Sequence, residues 1–337
     1  MPLGVVVTAL VVLLVVAVVA AIGLGTVTVG PATVWRVVAG HLSGGAVTDP
    51  LNDQIVWQLR VPRVLLAAVI GAALAVAGVA LQGLVRNPLA DPYVLGVSSG
   101  ASVGAVLVLG AGWAVLGGVS VGGGAFAGAL VSLVVVFLLA QTGGRLSDTR
   151  LILAGVAVGY LATAATSLVQ LRSDPNLVRG ILFWLMGSVA GARWSDLGVP
   201  AAAMVVCAAW LVLQARGLNA LALGDDDAAA LGVDVHRLRI GLLLVSSLLT
   251  ATAVSVAGGV GFVGLMVPHA ARLVVGADHR RLLPTSLLAG AVFLVLVDLA
   301  TRTVDRPNEY PITVFTAALG APFFLWLLRR NTSGAAR

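Results

Sequence analysis

About ten runs of mostly apolar residues, each close to twenty residues long, follow one another along this chain and leave room for little else. They lie near 3–24, 62–84, 94–112, 120–140, 150–171, 194–215, 238–257, 259–276, 282–301 and 312–328. A run of that length matches the ~20 residues a helix needs to cross the hydrocarbon core of a bilayer. In lipid every backbone N–H and C=O must find a partner inside the protein, and a helix meets that demand within each run. Hydrophobic residues make up 59% of the 337-residue sequence and charged residues 10%, too few charges to cover a water-soluble body of this size. The expected fold is an all-α polytopic membrane protein, a single domain over 1–337 with about ten transmembrane helices. Its 41 glycines suit helices whose backbones pack closely in lipid. The stretch 238–276 is long enough for two crossings, and its only interior break is Ala257-Gly258-Gly259-Val260-Gly261. The first run lacks the basic leader of a signal peptide and outruns its usual apolar core, so it reads as a retained helix.

All 20 basic residues are arginine. With the N-terminus cytoplasmic, 12 of them fall on the cytoplasmic side: Arg86, Arg145, Arg150, Arg216, Arg237, Arg239, Arg272, Arg280, Arg281, Arg329, Arg330 and Arg337. The other 8 (Arg36, Arg60, Arg63, Arg172, Arg179, Arg193, Arg302 and Arg306) fall outside. The bias has the expected sign, but the external arginines call for a role of their own. Two stretches do not span. An external segment, 25–61, carries a short amphipathic helix near Val34–Ala39. A cytoplasmic segment, 217–239, places Asp225, Asp226 and Asp227 in the first turn of a short helix, where carboxylates favour the positive end of the dipole. Gly232 suits the left-handed position that ends that helix. From the residues alone, a compact knob of two short helices and a solvated loop are equally good readings.

The absence of lysine removes a phosphate-cradling Walker lysine and any Schiff-base chemistry. One cysteine excludes an internal disulfide or a multi-thiolate metal site. The four histidines, 41, 236, 269 and 279, have no ligand spacing. A basic balance in such an apolar chain belongs to span ends rather than to nucleic acid. Ion-driven carriers place ionisable groups within the membrane. Here Asp298 is the main candidate, close to a helix end, where a structural acceptor is the simpler reading; His269 lies near the other face. The chain has a path and no visible energy source. No nucleophile, metal set or acid–base pair suggests a membrane-embedded enzyme. An ion-coupled secondary carrier remains the rival from another class.

Three blocks carry a resemblance. The first is Arg60-Val61-Pro62-Arg63, then Gly71 to Gly78, and Gln82 through Arg86-Asn87-Pro88-Leu89-Ala90-Asp91-Pro92 to Gly96. The second is Gly261-Phe262-Val263-Gly264 through Pro268-His269 to Arg272, continuing as Asp278-His279-Arg280-Arg281 to Pro284. The third runs from Pro311-Ile312-Thr313 to Leu319-Gly320-Ala321-Pro322-Phe323. In this order the sequence closely resembles the FecCD-type permeases, the membrane subunits of binding-protein-dependent ABC importers for iron–siderophore complexes, haem and vitamin B12.

The resemblance implies type II importer architecture, a location in the bacterial cytoplasmic membrane, and a partner permease, either a second copy or a sister chain, with the pathway along the dimer axis. It implies separate ATP-binding cassette subunits that hold the ATP and magnesium, with no cofactor on this chain, and an extracytoplasmic substrate-binding protein. Its cargo implication is an iron chelate, a ferric siderophore first, with haem and cobalamin as alternatives. Arg60, Arg63 and Arg302 match positions that dock the binding protein's acidic residues. Asn87, Leu89, Asp148 and Thr149 match the cytoplasmic gate. Asp148 departs from the small hydroxyl residue of some members, and capping of the fifth span is its plainer role. Leu223, Gly224, Asp225, Ala229, Leu231, Gly232 and Val233 match the segment that couples to the ATPase.

Overall fold

A computed structural model of the chain describes residues 2–25, 27–44, 49–111 and 119–332. The end of the expected third span at 112, positions 26 and 45–48 of the external segment, and Arg337 lie outside the described residues. Fourteen helices are labelled here in chain order: α1 (Leu3–Gly23), α2 (Pro31–Ser43), α3 (Pro50–Leu84), α4 (Val97–Ala111), α5 (Val121–Ala140), α6 (Asp148–Leu171), α7 (Pro175–Leu185), α8 (Gly198–Leu213), α9 (Ala215–Leu221), α10 (Asp225–Ala230), α11 (Val235–Ala257), α12 (Val263–Val275), α13 (His279–Thr301) and α14 (Ile312–Thr332). A two-residue hairpin pairs Gln141–Thr142 with Arg145–Leu146 between α5 and α6. The ten expected spans correspond to α1, α3, α4, α5, α6, α8, α11, α12, α13 and α14.

The centre of the bundle is α3. Nearly every residue from Val61 to Leu84 is buried, and α1, α8, α11, α12 and α13 pack around it. Small residues make this possible. A Cβ on Gly71 would stand 2.1 Å from the carbonyl oxygen of Gly290 on α13, and one on Gly290 would stand 2.3 Å from that of Gly71. The same reciprocity joins α4 to α5, where a Cβ on Gly104 would lie 2.0 Å from the oxygen of Gly124. In lipid, where apolar surface alone gives helices no reason to associate, such backbone approach supplies the packing.

Three departures from the expected spans have local causes. The third helix begins at Pro50, so residues 50–60 of the expected external segment continue the span. Pro62 has no N–H, and Gln54–Arg60 before it winds as a π-helix, with Val61 N–H bonded to the Val56 carbonyl. The eighth span is helical only over Val263–Val275. Residues 258–262 are non-helical, Gly258 and Phe262 have φ of 69° and 67°, and α12 starts only at Val263. This buried non-helical backbone is tolerated because protein satisfies it. The Val260 N–H bonds to the Tyr93 hydroxyl, Gly259 O accepts from Thr313 Oγ1 at 2.8 Å, and Ala257 O accepts from Ser188 N at 2.8 Å. The third departure is α7, an amphipathic helix that the span reading leaves out, and α2 is longer than the expected Val34–Ala39. His41 on α2 stacks on Trp57 at 4.3 Å and bonds Asp53 at 2.5 Å, which clasps α2 to the start of α3.

Candidate functional site

The residues singled out by sequence gather at the two ends of α3. At one end, Arg60, Arg63 and Arg302 converge, yet their guanidinium groups turn inward. Arg60 donates to the carbonyls of Ile22 at 2.8 Å and Gly23 at 3.0 Å, and to Val27. Arg63 Nε donates to Asp298 Oδ1 at 2.9 Å, and its Nη1 reaches both oxygens of Glu309 at 3.1 and 3.0 Å. Arg302 donates to the carbonyls of Ala21 at 2.6 Å and Leu24 at 3.2 Å, and its Nε lies 3.3 Å from Asp298 Oδ2. Asp298, only 1% exposed, thus accepts a hydrogen bond from Arg63 and forms an ion pair with Arg302. Three guanidinium groups face two carboxylates, and among the described residues no carboxylate pairs with Arg60. The cluster lines a pocket of about 280 Å³ with Gly25, Val27, Leu59 and Glu309.

At the opposite end, α3 stops at Leu84 and the chain turns through Arg86, whose φ is 49°. Asn87 Oδ1 accepts from Leu89 N at 2.9 Å, an Asx turn that sets the bend before Pro88. Ser147, not Asp148, is the N-cap of α6; Asp148 occupies the first turn and its carboxylate goes to Arg239 and, at 3.5 Å, to Arg86. Capping is therefore not the role of Asp148. Thr149 beside it is exposed.

Between α8 and α11 the chain forms a pair of short helices, the knob rather than the solvated loop of the two readings the residues allowed. Gly224, with φ of 133°, separates α9 from α10, and Asp225, Asp226 and Asp227 open α10. Gly232 has φ of 82°; its N–H bonds Ala229 O at 2.9 Å, and Val233 N bonds Ala228 O at 3.0 Å. That is a Schellman stop. Leu223 and Leu231 are each 67% exposed at the tip, and Ala229 is exposed beside them. Asn219 ties the knob to α13: its Nδ2 donates to Asp278 Oδ1 at 2.7 Å and its Oδ1 accepts from His279 N at 2.9 Å. The Asn219 bond, then the Arg280 N–H, holds the Asp278 carboxyl below its ordinary range. Asn219, Glu309 and Tyr93 were not singled out by the sequence, whereas Arg86 and Asp278 lay within the resembling blocks and Arg239 closed the cytoplasmic segment, each without an assigned role.

A multi-span helical bundle with an apolar-tipped knob at one end and an arginine cluster at the other is the architecture of a polytopic membrane protein. Residues 13–330 match the FecCD transport family, and the chain belongs to it. It is 48% identical over 275 residues, 82% of this chain and 73% of the relative, to the cobalamin import system permease protein BtuC of Halobacterium salinarum. It is 45% identical over 287 residues, 83% of this chain and 85% of the relative, to the hemin transport system permease protein HmuU of Yersinia pestis. Among solved structures it resembles an inward-facing ABC transporter chain assigned to the metal-chelate type, with a TM-score of 0.84, 34% identity, and coverage of 96% of this chain and 98% of that one. This chain is a multi-pass membrane permease of the ABC importer class.

Proposed function

We propose that the chain, paired with a second permease, forms the route by which an ATP-driven importer carries a bulky metal chelate into the cell. The observation that carries this reading is the knob. Leucines 67% exposed on a rigidly stopped pair of helices are out of place in water and suit a protein partner, here the ATPase subunits. Hydroxyl groups on α6 support the paired arrangement. Tyr160, Thr163 and Ser167 are exposed on one stripe of a spanning helix, continuing the line of Thr149, Leu153 and Val156. Lipid is a poor neighbour for such a stripe, whereas a pathway or a second permease suits it. Asn87, Leu89 and Thr149 stand at its closing end, together with Asp148.

At the outer mouth, the unpaired charge of Arg60 and the accessible Glu309 suit entry of an acidic side chain from a binding protein, which would take over the link Glu309 makes to Arg63. The cobalamin and haem permeases among the relatives favour a tetrapyrrole or corrin chelate over a ferric siderophore.

Uptake into vesicles, with the cognate ATPase and binding protein, tests the reading. Cyanocobalamin, haemin and a ferric hydroxamate siderophore are offered in turn. Uptake should need ATP and survive an ionophore; uptake driven by an ion gradient without ATP would establish a secondary carrier instead.

A further inference from the structure

Four charged side chains close a ring at the knob end of the molecule. Arg86 Nη2 stands 3.5 Å from Asp148 Oδ2, and Arg86 Nη1 stands 3.4 Å from Asp225 Oδ1. Arg239 bonds Asp225 through Nη1, at 2.8 Å to Oδ2 and 3.1 Å to Oδ1, and meets Asp148 through Nη2. Each arginine therefore touches both aspartates, and charges of opposite sign alternate around the ring. Its members come from separate segments: the turn after α3, the foot of α6, the first residue of α10, and the first turns of α11.

We propose that this ring is a clasp that transmits displacement of the knob to the closing end of α6 and to the Asn87-Pro88-Leu89 turn, and that its four members are positioning residues for coupling. The inference rests on the importer reading above. Three observations carry it. The first is topology: Asp225 opens the knob helix, whereas Asp148 and Arg86 adjoin Thr149 and Asn87, so that one set of ion pairs spans both regions. The second is asymmetry of burial. The Arg239 side chain is 6% exposed and the Asp225 side chain 44%, so the ring has a fixed inner post and a movable outer member. A desolvated guanidinium with two carboxylates holds its geometry, while the solvated Arg86 pairs can exchange at little cost. The third is the backbone of Arg86. A φ of 49° is a conformation that side-chain residues rarely adopt, and here it accompanies the approach of the guanidinium to both aspartates.

A rigid link and a set of independent surface pairs predict different behaviour. In the assembled transporter, spin labels are placed at Ala230→Cys on the knob and, separately, at Arg150→Cys on the foot of α6, and distances between the paired permeases are read by pulsed electron resonance with and without a non-hydrolysable ATP analogue. Both labels should move in the otherwise unaltered protein. In Asp148→Asn and Asp225→Asn the Ala230 label should still move, while movement of the Arg150 label falls to less than about half its size, as loss of an ordinary inter-site coupling requires. Arg86→Gln, on the solvated side, should reduce it less.

Undiminished movement of the Arg150 label in both aspartate variants would overturn the clasp. Failure of either variant to assemble with the ATPase would overturn it too, because the ring would then serve assembly. A transporter in which nucleotide moves neither label would sink the importer reading itself.

Discussion

Arg63 on α3 and Asp298 on α13 meet at 2.9 Å although 235 residues separate them in sequence, and around that contact the outer mouth is organised. Both are buried, so the pair holds its shape only while it stays complete. Arg63→Gln leaves Asp298 with a single arginine in a dry site. Breaking one side of a buried pair costs about 3–5 kcal/mol, and the purified protein should melt correspondingly lower in detergent. Arg63→Met combined with Asp298→Leu, read in the same thermal scan, should recover most of that loss.

A single methyl group at Gly71 should be felt across the bundle. The Cβ would need the space that the Gly290 carbonyl oxygen occupies at 2.1 Å, and backbone cannot rotate away as a side chain can. Overpacking usually costs about 1–3 kcal/mol, and backbone against backbone belongs at the upper end. Gly71→Ala should therefore shift size-exclusion profiles toward aggregate.

The opposite case is Gly232, where an added Cβ meets nothing within 4 Å but φ is 82°. Gly232→Val should leave the spans intact and distort only the stop of α10, at a cost of about 1–2 kcal/mol. Uptake per ATP hydrolysed should fall while the ATPase still co-purifies, which a paired hydrolysis and uptake assay would detect.

Tyr93→Phe removes the hydroxyl that receives the Val260 N–H within the broken eighth span. An orphaned buried donor costs about 1–3 kcal/mol. Hydrogen exchange at residues 258–262 should quicken, with little change at α5 or α6.

The spans were legible because lipid imposes length and apolarity on them; the helix-end chemistry of Asp225 and Gly232 left the knob and a solvated loop equal, and only the resemblance favoured the knob. Charge pairing was not legible. Nothing near Asp298 in the sequence announces Arg63, and nothing near Asp148 announces Arg239; such partners are set by which helices stack. The same limit concealed the inward turn of Arg60, Arg63 and Arg302. Their number and position imply an exposed basic rim, whereas carbonyls of residues 21–27 and the carboxylates of Asp298 and Glu309 absorb most of their donors. The break at 258–262 was signalled by its glycines, but its place in the packed interior depends on Tyr93 and Thr313 from distant segments.

The main-chain links around that break have a mechanical consequence. Ile312 N reaches Gly187 O at 2.9 Å, Thr313 N reaches Met186 O at 3.2 Å, and Ser188 N reaches Ala257 O. Three strands of chain are thereby sewn together by groups that would find no water in lipid if they parted. Parting them would strand several main-chain groups at once, so this corner of the bundle should resist shear more than the knob end, where ion pairs of Arg86, Asp148, Asp225 and Arg239 join separate segments.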